Sequence, residues 1–272
     1  MGDAQWVLNT LWEAYQEQES LRDDAARQKQ QQDMEQWWQQ IEQWRSAHGL
    51  NHNLEPKKDQ SILPQLAVQT LYRVTEGEAF VTSDVGQHQM FAAQYYHFDE
   101  PRRWINSGGL GTMGFGLPSA MGVQMGNPDA VVACVTGEGS FMMNMQELST
   151  CLQYGLPIKI INLNNQALGM VKQWQDMQYG GRHSQSTYSD SLPDFKTLVE
   201  AFGHVGIRVS EAMELDAAME EAFSEKNKNV TKAAKGLPSQ WLQCDDWLGE
   251  KIGEMPNSKP DEDKKDDKTP NL

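Results

Sequence analysis

Between residues 61 and 225 the chain alternates short, continuously apolar runs with stretches of helical periodicity, and this alternation limits the fold more than anything else in the sequence. The strand-like runs are EAFVTSD, DAVVACVT, LPIKIINLNN and HVGIRVS. The helix-like stretches are SILPQLAVQTLYRVTEGE, LPSAMGVQMG, NMQELSTCLQYG, LPDFKTLVEAFGH and ELDAAMEEAFSEK. A strand that is apolar throughout has no face to offer water, so it belongs in a sheet covered on both sides. Strands alternating with helices supply that cover and favour parallel pairing. The expected fold is therefore α/β, a mostly parallel sheet with helices on both faces. Ligands of such sheets sit beyond the carboxyl ends of the strands. Asp84, Glu138 and Asn165 each follow a strand directly, so all three are expected to line one crevice.

The flanks read differently. Residues 1–60 form a helical segment and linker. AARQKQQQDMEQWWQQIEQWRSAH is rich in Gln and Glu, and Trp37, Ile41 and Trp44 fall on one helical stripe, as on an amphipathic surface helix. LNHNLEPKKDQ reads as a linker. Residues 226–272 break the alternation and contain no convincing strand, so an irregular tail is expected. Its last part, PNSKPDEDKKDDKTPNL, has the charged, apolar-poor composition of a disordered segment.

Bulk properties exclude several classes. The formal net charge of −15 speaks against a nucleic-acid surface, which needs clustered Lys and Arg. Small anions remain possible ligands, since backbone N–H groups and metal ions hold them locally. The three cysteines, Cys134, Cys151 and Cys244, are widely spaced and make neither a disulfide framework nor a zinc pattern. The sequence contains no membrane span, and its start lacks a basic n-region and a long apolar run, so a cytoplasmic protein is expected.

Two glycine motifs compete for attention. Gly109-Leu110-Gly111-Thr112-Met113-Gly114 matches G-x-G-x-x-G, but PRRWINSG before it is a poor strand, and the nearest later acid, Asp129, precedes its strand instead of ending it. A dinucleotide site needs both features. These glycines, Gly111 among them, instead let backbone approach a ligand or a helix. The second motif is Thr136-Gly137-Glu138-Gly139-Ser140, where a strand stops and a helix begins. One helix and one strand later comes Asn164-Asn165. In a βαβ unit both turns leave the same sheet edge. A carboxylate, an amide oxygen and backbone carbonyls are hard donors suited to Mg²⁺, which commonly shares its shell with substrate phosphates. The N–H groups of Gly139 and Ser140, at a helix start, suit a phosphate. Together they describe a Mg²⁺–diphosphate site.

The G-E-G turn followed by N-N resembles the diphosphate motif of thiamine-diphosphate enzymes, G-D-G then N-N. VTSDVGQHQMFAAQYY, RRWINSGGLGTMGFGLPSAMG and NMQELSTCLQYGLPIKIINLNNQALGMVKQWQDMQYGGRHSQS resemble more narrowly the catalytic large subunit of acetolactate synthase, bacterial biosynthetic type. The resemblance is dense from 61 to 225 and looser upstream through WWQQIEQWR. It implies the thiamine-diphosphate-binding fold over 61–225. It also implies condensation of pyruvate with pyruvate or 2-oxobutyrate in branched-chain amino-acid synthesis. Thiamine diphosphate and Mg²⁺ are the implied cofactors, with FAD in the full-length family enzyme. The implied partners are 2-oxoacids, a homodimer or tetramer of large subunits and a small regulatory subunit.

By the same resemblance, Glu138, Asn165 and the carbonyl of Ala167 hold the metal. Gly139 and Ser140 take the diphosphate, and Gly86, Gln87 and His88 contact its other side. Gly111 and Met113 are cofactor contacts, Met113 as the wedge beneath the thiazolium. Met170, Val171 and Trp174 match the segment lining the substrate channel, although a helix face packed on the core accounts equally for these three. The family's activating glutamate lies in an N-terminal domain that this sequence does not contain, so turnover by this chain alone is not expected. Residues 1–45 look like the tail of the family's middle domain, and 226–272 match neither its last strand nor its closing segment. Glu138 stands where the motif has Asp, a difference in reach of roughly 1.5 Å. The rival readings are another thiamine-diphosphate decarboxylase or oxidase, and a non-catalytic binding module that pairs with subunits.

Overall fold

The computed structural model describes residues 2–50, 54–58, 61–188, 191–224 and 240–244. The chain divides into two compact units, Met1–Leu50 and Asn51–Leu272. Among the described residues no helix is long and apolar enough to cross a membrane.

The first unit is helical. Helix α1 (Ala4–Ser20) starts at Asp3, whose carboxylate accepts the Trp6 N–H at 2.9 Å. Helix α2 (Asp24–His48) starts at Asp23, which accepts the Ala26 N–H at 2.8 Å. Both are N-caps of the usual kind, an acid satisfying an orphan donor of the first turn. The expected stripe lies on α2, where the rings of Trp37 and Trp44 meet edge to face at 5.6 Å. On α1 the exposed residues Leu8, Leu11, Trp12 and Tyr15 repeat the same spacing. Of the linker, residues 51–53 and 59–60 lie outside the described residues, and 54–58 form neither helix nor strand.

The second unit is a six-stranded parallel sheet in the order β2-β1-β3-β4-β6-β5. The strands are β1 (Phe80–Ser83), β2 (Trp104–Asn106), β3 (Val132–Thr136), β4 (Lys159–Leu163), β5 (Val205–Val209) and β6 (Gln240–Cys244). The helices are α3 (Pro64–Thr75), α4 (Gln87–Tyr95), α5 (Gly116–Gly126), α6 (Glu138–Met142), α7 (Glu147–Tyr154), α8 (Gly169–Tyr179), α9 (Phe195–Ala201) and α10 (Leu215–Phe223). Successive strand residues point to opposite faces. Ala133 and Val135 of β3 accordingly pack with Leu71, Phe91 and Leu215, from α3, α4 and α10. Val132 and Cys134 pack on the other side with Leu117, Leu148 and Phe195, from α5, α7 and α9. Both faces of β3 and β4 are buried along their whole length, which is why their sequences are mostly apolar, with Thr136, Lys159 and Asn162 as the buried polar exceptions.

Two expectations about strands need correction. Residues 226–272 do contain a strand: Gln240–Cys244 lies between β4 and β5, with Gln240 opposite both Lys159 and Val205. QWLQC has polar residues within it and carries no apolar run, so its strand state comes from pairing on both edges. The residues on either side of it, 225–239 and 245–272, lie outside the described residues, and with them the stretch expected to be disordered. Likewise Trp104–Asn106, inside PRRWINSG, is a short strand paired with β1. It does not revive a dinucleotide site. The strand after the glycine loop is β3, and β1 lies between β2 and β3, so the loop does not join adjacent strands as a Rossmann unit requires.

From β1 the chain runs outward to β2, whereas from β3 it runs the other way to β4. The connections therefore diverge beyond the carboxyl ends of β1 and β3, and a crevice opens there.

Candidate functional site

The crevice is built from three turns. After β1, Gly86 leads into α4 at Gln87 and His88. After β3, Gly137 leads into α6 at Glu138, Gly139 and Ser140. After β4, Asn164 to Leu168 lead into α8. A cavity of about 280 Å³ lies among them.

Glu138 is almost fully buried, and its Oε1 accepts the Ala167 N–H at 2.8 Å. Asn165 Oδ1 accepts the same N–H at 3.2 Å. One backbone donor thus draws a carboxylate and an amide oxygen together across two turns. The turn bearing that donor is tightly shaped. Asn164 Oδ1 accepts the Gln166 N–H at 3.1 Å, and Gln166 has φ of 56°, a left-handed conformation uncommon outside glycine. Burial pushes the Glu138 carboxyl up to about 7, against the lowering effect of its backbone hydrogen bonds. A buried carboxylate without a cation is costly to ionise, and a bound cation removes that cost. Among the described residues no three of His, Cys, Asp and Glu gather as a metal cluster. A cation here would rest on one carboxylate and neutral oxygens, a hard set that fits Mg²⁺.

His88 faces Glu138's turn from the other side. Its ring lies between two glycines: a Cβ on Gly86 would stand 2.7 Å from His88 Cε1, and one on Gly137 would stand 2.9 Å from His88 Nδ1. Its Nε2 is buried without a hydrogen-bond partner. Burial pushes the imidazole down to about 4, so it is neutral at pH 7. A buried polar atom left unpaired is expensive, and at a cavity wall it suits a polar ligand.

Gly86, Gln87, His88, Met113, Glu138, Gly139, Ser140, Asn165, Ala167, Met170, Val171 and Trp174 all line this one cavity. Two expectations do not hold in geometry. Gly111 is exposed, with φ of 73° and open space around it, and is not among the cavity residues. Its glycine identity serves the loop's left-handed turn. Asp84 does not line the crevice either. Its Oδ1 accepts the Gly116 N–H at 2.9 Å and its Oδ2 the Thr136 hydroxyl at 2.7 Å, which ties β1, β3 and the start of α5 together.

Several neighbours had no signal in the sequence. Tyr188 packs its hydroxyl against Gly139, where a side chain would collide with it. It arrives there because its N–H donates to Gln166 O at 3.0 Å, while Leu168 donates to Ser186 O at 2.8 Å. Burial and the nearby charge of Glu138 push the Tyr188 phenol up. Gln173 accepts from Gln87 Nε2 at 2.9 Å. Such contacts follow from how loops return, which no local motif records.

Residues 84–231 match the family described as thiamine pyrophosphate enzyme, C-terminal TPP binding domain. The chain is 57% identical over 235 residues to the acetolactate synthase isozyme 3 large subunit of Escherichia coli, covering 84% of this chain and 38% of that protein. It is 53% identical over 235 residues to the acetolactate synthase large subunit of Haemophilus influenzae, covering 86% of this chain and 40% of that one. With the acetolactate synthase large subunit of Porphyra purpurea it shares 45% identity over 187 residues, 69% of this chain and 31% of the relative. The chain thus spans about two-fifths or less of the length of these relatives. It belongs to the thiamine pyrophosphate enzymes, with acetolactate synthase large subunits among its relatives, and carries that family's C-terminal cofactor-binding domain.

Proposed function

We propose that this chain binds thiamine diphosphate through Mg²⁺ in the β1–β3 crevice and supplies that side of an acetolactate synthase-type active site. The observation that carries the reading is the convergence of Glu138 and Asn165 on the Ala167 N–H, beside a buried His88 with an unpaired Nε2. Glu138, Asn165 and the Ala167 carbonyl hold the cation. The N–H groups of Gly139 and Ser140 donate to phosphate oxygens, and Gly86, Gln87 and His88 close the opposite side. His88, being neutral, contributes a hydrogen bond and no charge. Bound thiamine diphosphate supplies the electron sink for 2-oxoacid chemistry. Met113 would support the bound cofactor, and Met170, Val171 and Trp174 would keep water from the apolar end of the cavity.

In the longer family protein this site serves the condensation of pyruvate with pyruvate or 2-oxobutyrate, with FAD, a second large subunit and a small regulatory subunit as partners. By the family resemblance, the glutamate that would assist the cofactor's chemistry belongs to another domain of the longer family protein, so binding and turnover are tested separately. Calorimetry with thiamine diphosphate tests the first: heat of binding is expected with Mg²⁺ and not with chelator. Absence of binding at millimolar cofactor overturns the reading. Acetolactate formed by the purified chain alone overturns the claim that turnover needs an outside carboxylate.

A further inference from the structure

Helix α8 carries Val171 and Trp174 to the cavity, yet none of its side chains is buried. Its position therefore depends on specific tethers more than on packing. One tether reaches the diphosphate side directly. Gln87 Nε2 donates to Gln173 Oε1 at 2.9 Å, and Gln87 Oε1 accepts from Asn165 Nδ2 at 3.3 Å. The direction is set at Asn165, whose Oδ1 accepts the Ala167 N–H and so leaves Nδ2 to donate onward, since an amide nitrogen only donates and an amide oxygen only accepts. Gly169, the first residue of α8, fits against this pair. A side chain there would collide with Gln87 Oε1 and stand 2.6 Å from Asn165 Nδ2.

We propose that Asn165, Gln87 and Gln173 form an amide relay, in which Gln173 is a positioning residue that sets α8 according to the state of the cation site. The inference rests on the cofactor reading above. When Asn165 Oδ1 is engaged by a cation, its amide is held in one orientation and polarised, and Nδ2 becomes a stronger donor to Gln87. Gln87 is then held with its own Nε2 toward Gln173. Loading the diphosphate end thereby stiffens the helix that walls the substrate end.

The test is hydrogen exchange of residues 169–179 in the full chain, with and without Mg²⁺ and thiamine diphosphate. Calorimetry runs in parallel. In the unsubstituted chain, loading is expected to slow α8 exchange about three- to tenfold, the span one net hydrogen bond supplies. Gln173→Leu is expected to bind cofactor within about threefold of the parent, since it leaves the diphosphate contacts intact, and to lose the slowing. Gln173→Glu keeps an acceptor for Gln87 Nε2 and is expected to retain it. Slowing that persists in Gln173→Leu overturns the relay. So does its loss in Gln173→Glu, which would mean that side-chain shape and not the hydrogen bond matters. Cofactor binding without any slowing in the parent overturns the relay alone, whereas no binding at all overturns the cofactor reading with it.

Discussion

Glu138 Oε1 and the Ala167 N–H, 2.8 Å apart, join the turn after β3 to the turn after β4. The reach of a glutamate is used in this contact. An aspartate, roughly 1.5 Å shorter, would leave that N–H to Asn165 Oδ1 alone. Glu138→Asp is therefore expected to cost the cation-free chain about 1 kcal/mol, the worth of one hydrogen bond. It also withdraws the carboxylate from the N–H and leaves it free for the cation, so Mg²⁺-dependent binding of thiamine diphosphate should tighten. Glu138→Gln should weaken binding by at least the roughly 10–100-fold typical of lost metal-supporting groups. Titration calorimetry of the parent and the two variants checks both expectations. Matching affinities for the parent and Glu138→Asp would refute the first, and unchanged affinity in Glu138→Gln the second.

Two buried groups give the cation-free chain opposing pH dependences. The Glu138 carboxyl is raised from 4.5 to about 7, so its contribution to stability is full below pH 4.5 and is lost as pH rises through 7. The His88 imidazole is lowered from 6.5 to about 4, so its contribution is full above pH 6.5 and is lost as pH falls through 4. Each shift corresponds to about 3 kcal/mol. Between pH 4.5 and 6.5 the two slopes oppose. Relative to the parent, Glu138→Gln should gain stability as pH rises through this window, and His88→Asn should lose it. Urea unfolding of the three proteins at a series of pH values, under chelator, measures this directly. Parallel curves for parent and both variants would show the assignment to be wrong.

Gly137 is extended, with φ of −120° and ψ of 161°, so its backbone accepts any residue and only space excludes a side chain. Alanine there would put a Cβ 2.9 Å from His88 Nδ1. The imidazole must move, at an overpacking cost of about 1–3 kcal/mol. Since the ring belongs to the cavity wall, Gly137→Ala should also weaken cofactor binding about tenfold, the equivalent of 1.4 kcal/mol within that cost. Removing the ring should remove the clash, so the penalty of Gly137→Ala should shrink in a His88→Ala background. A double-mutant cycle by chemical denaturation reads that coupling. Additive penalties would mean that the two positions do not meet.

The sequence was most legible where burial is two-sided. β3 and β4 are mostly apolar because both faces are covered, and the acid and amides after them fall at the sheet's edge because the strands end there. Its silence has equally physical causes. β6 holds its strand state by neighbours on both sides, and its polar residues hide it from any run of apolar letters. Asp84 follows a strand just as Glu138 does, but Gly116 and Thr136 turn it into the scaffold. Tyr188 and Gln173 reach the site through a returning loop and an exposed helix, and neither position carries a residue pattern that points there.

The place of β6 yields a last prediction. Leu242 stands opposite Ile161 of β4 and Ile207 of β5, so a break at this position affects a strand paired on both sides. Proline removes a ladder donor and is tolerated only at sheet edges or bulges. Leu242→Pro should therefore destabilise the domain by roughly 1–3 kcal/mol, the cost of a backbone partner left unpaired in the ladder. Leu242→Val keeps the N–H and a strand-favouring side chain, and should cost less. Because β4 leads directly to Asn165, loosening its β6 edge should also weaken thiamine-diphosphate binding in the Pro variant. Thermal unfolding and calorimetry on both variants decide the matter. If proline and valine behaved alike, this strand would contribute nothing to the sheet, and residues 240–244 would be as irregular as their sequence first suggests.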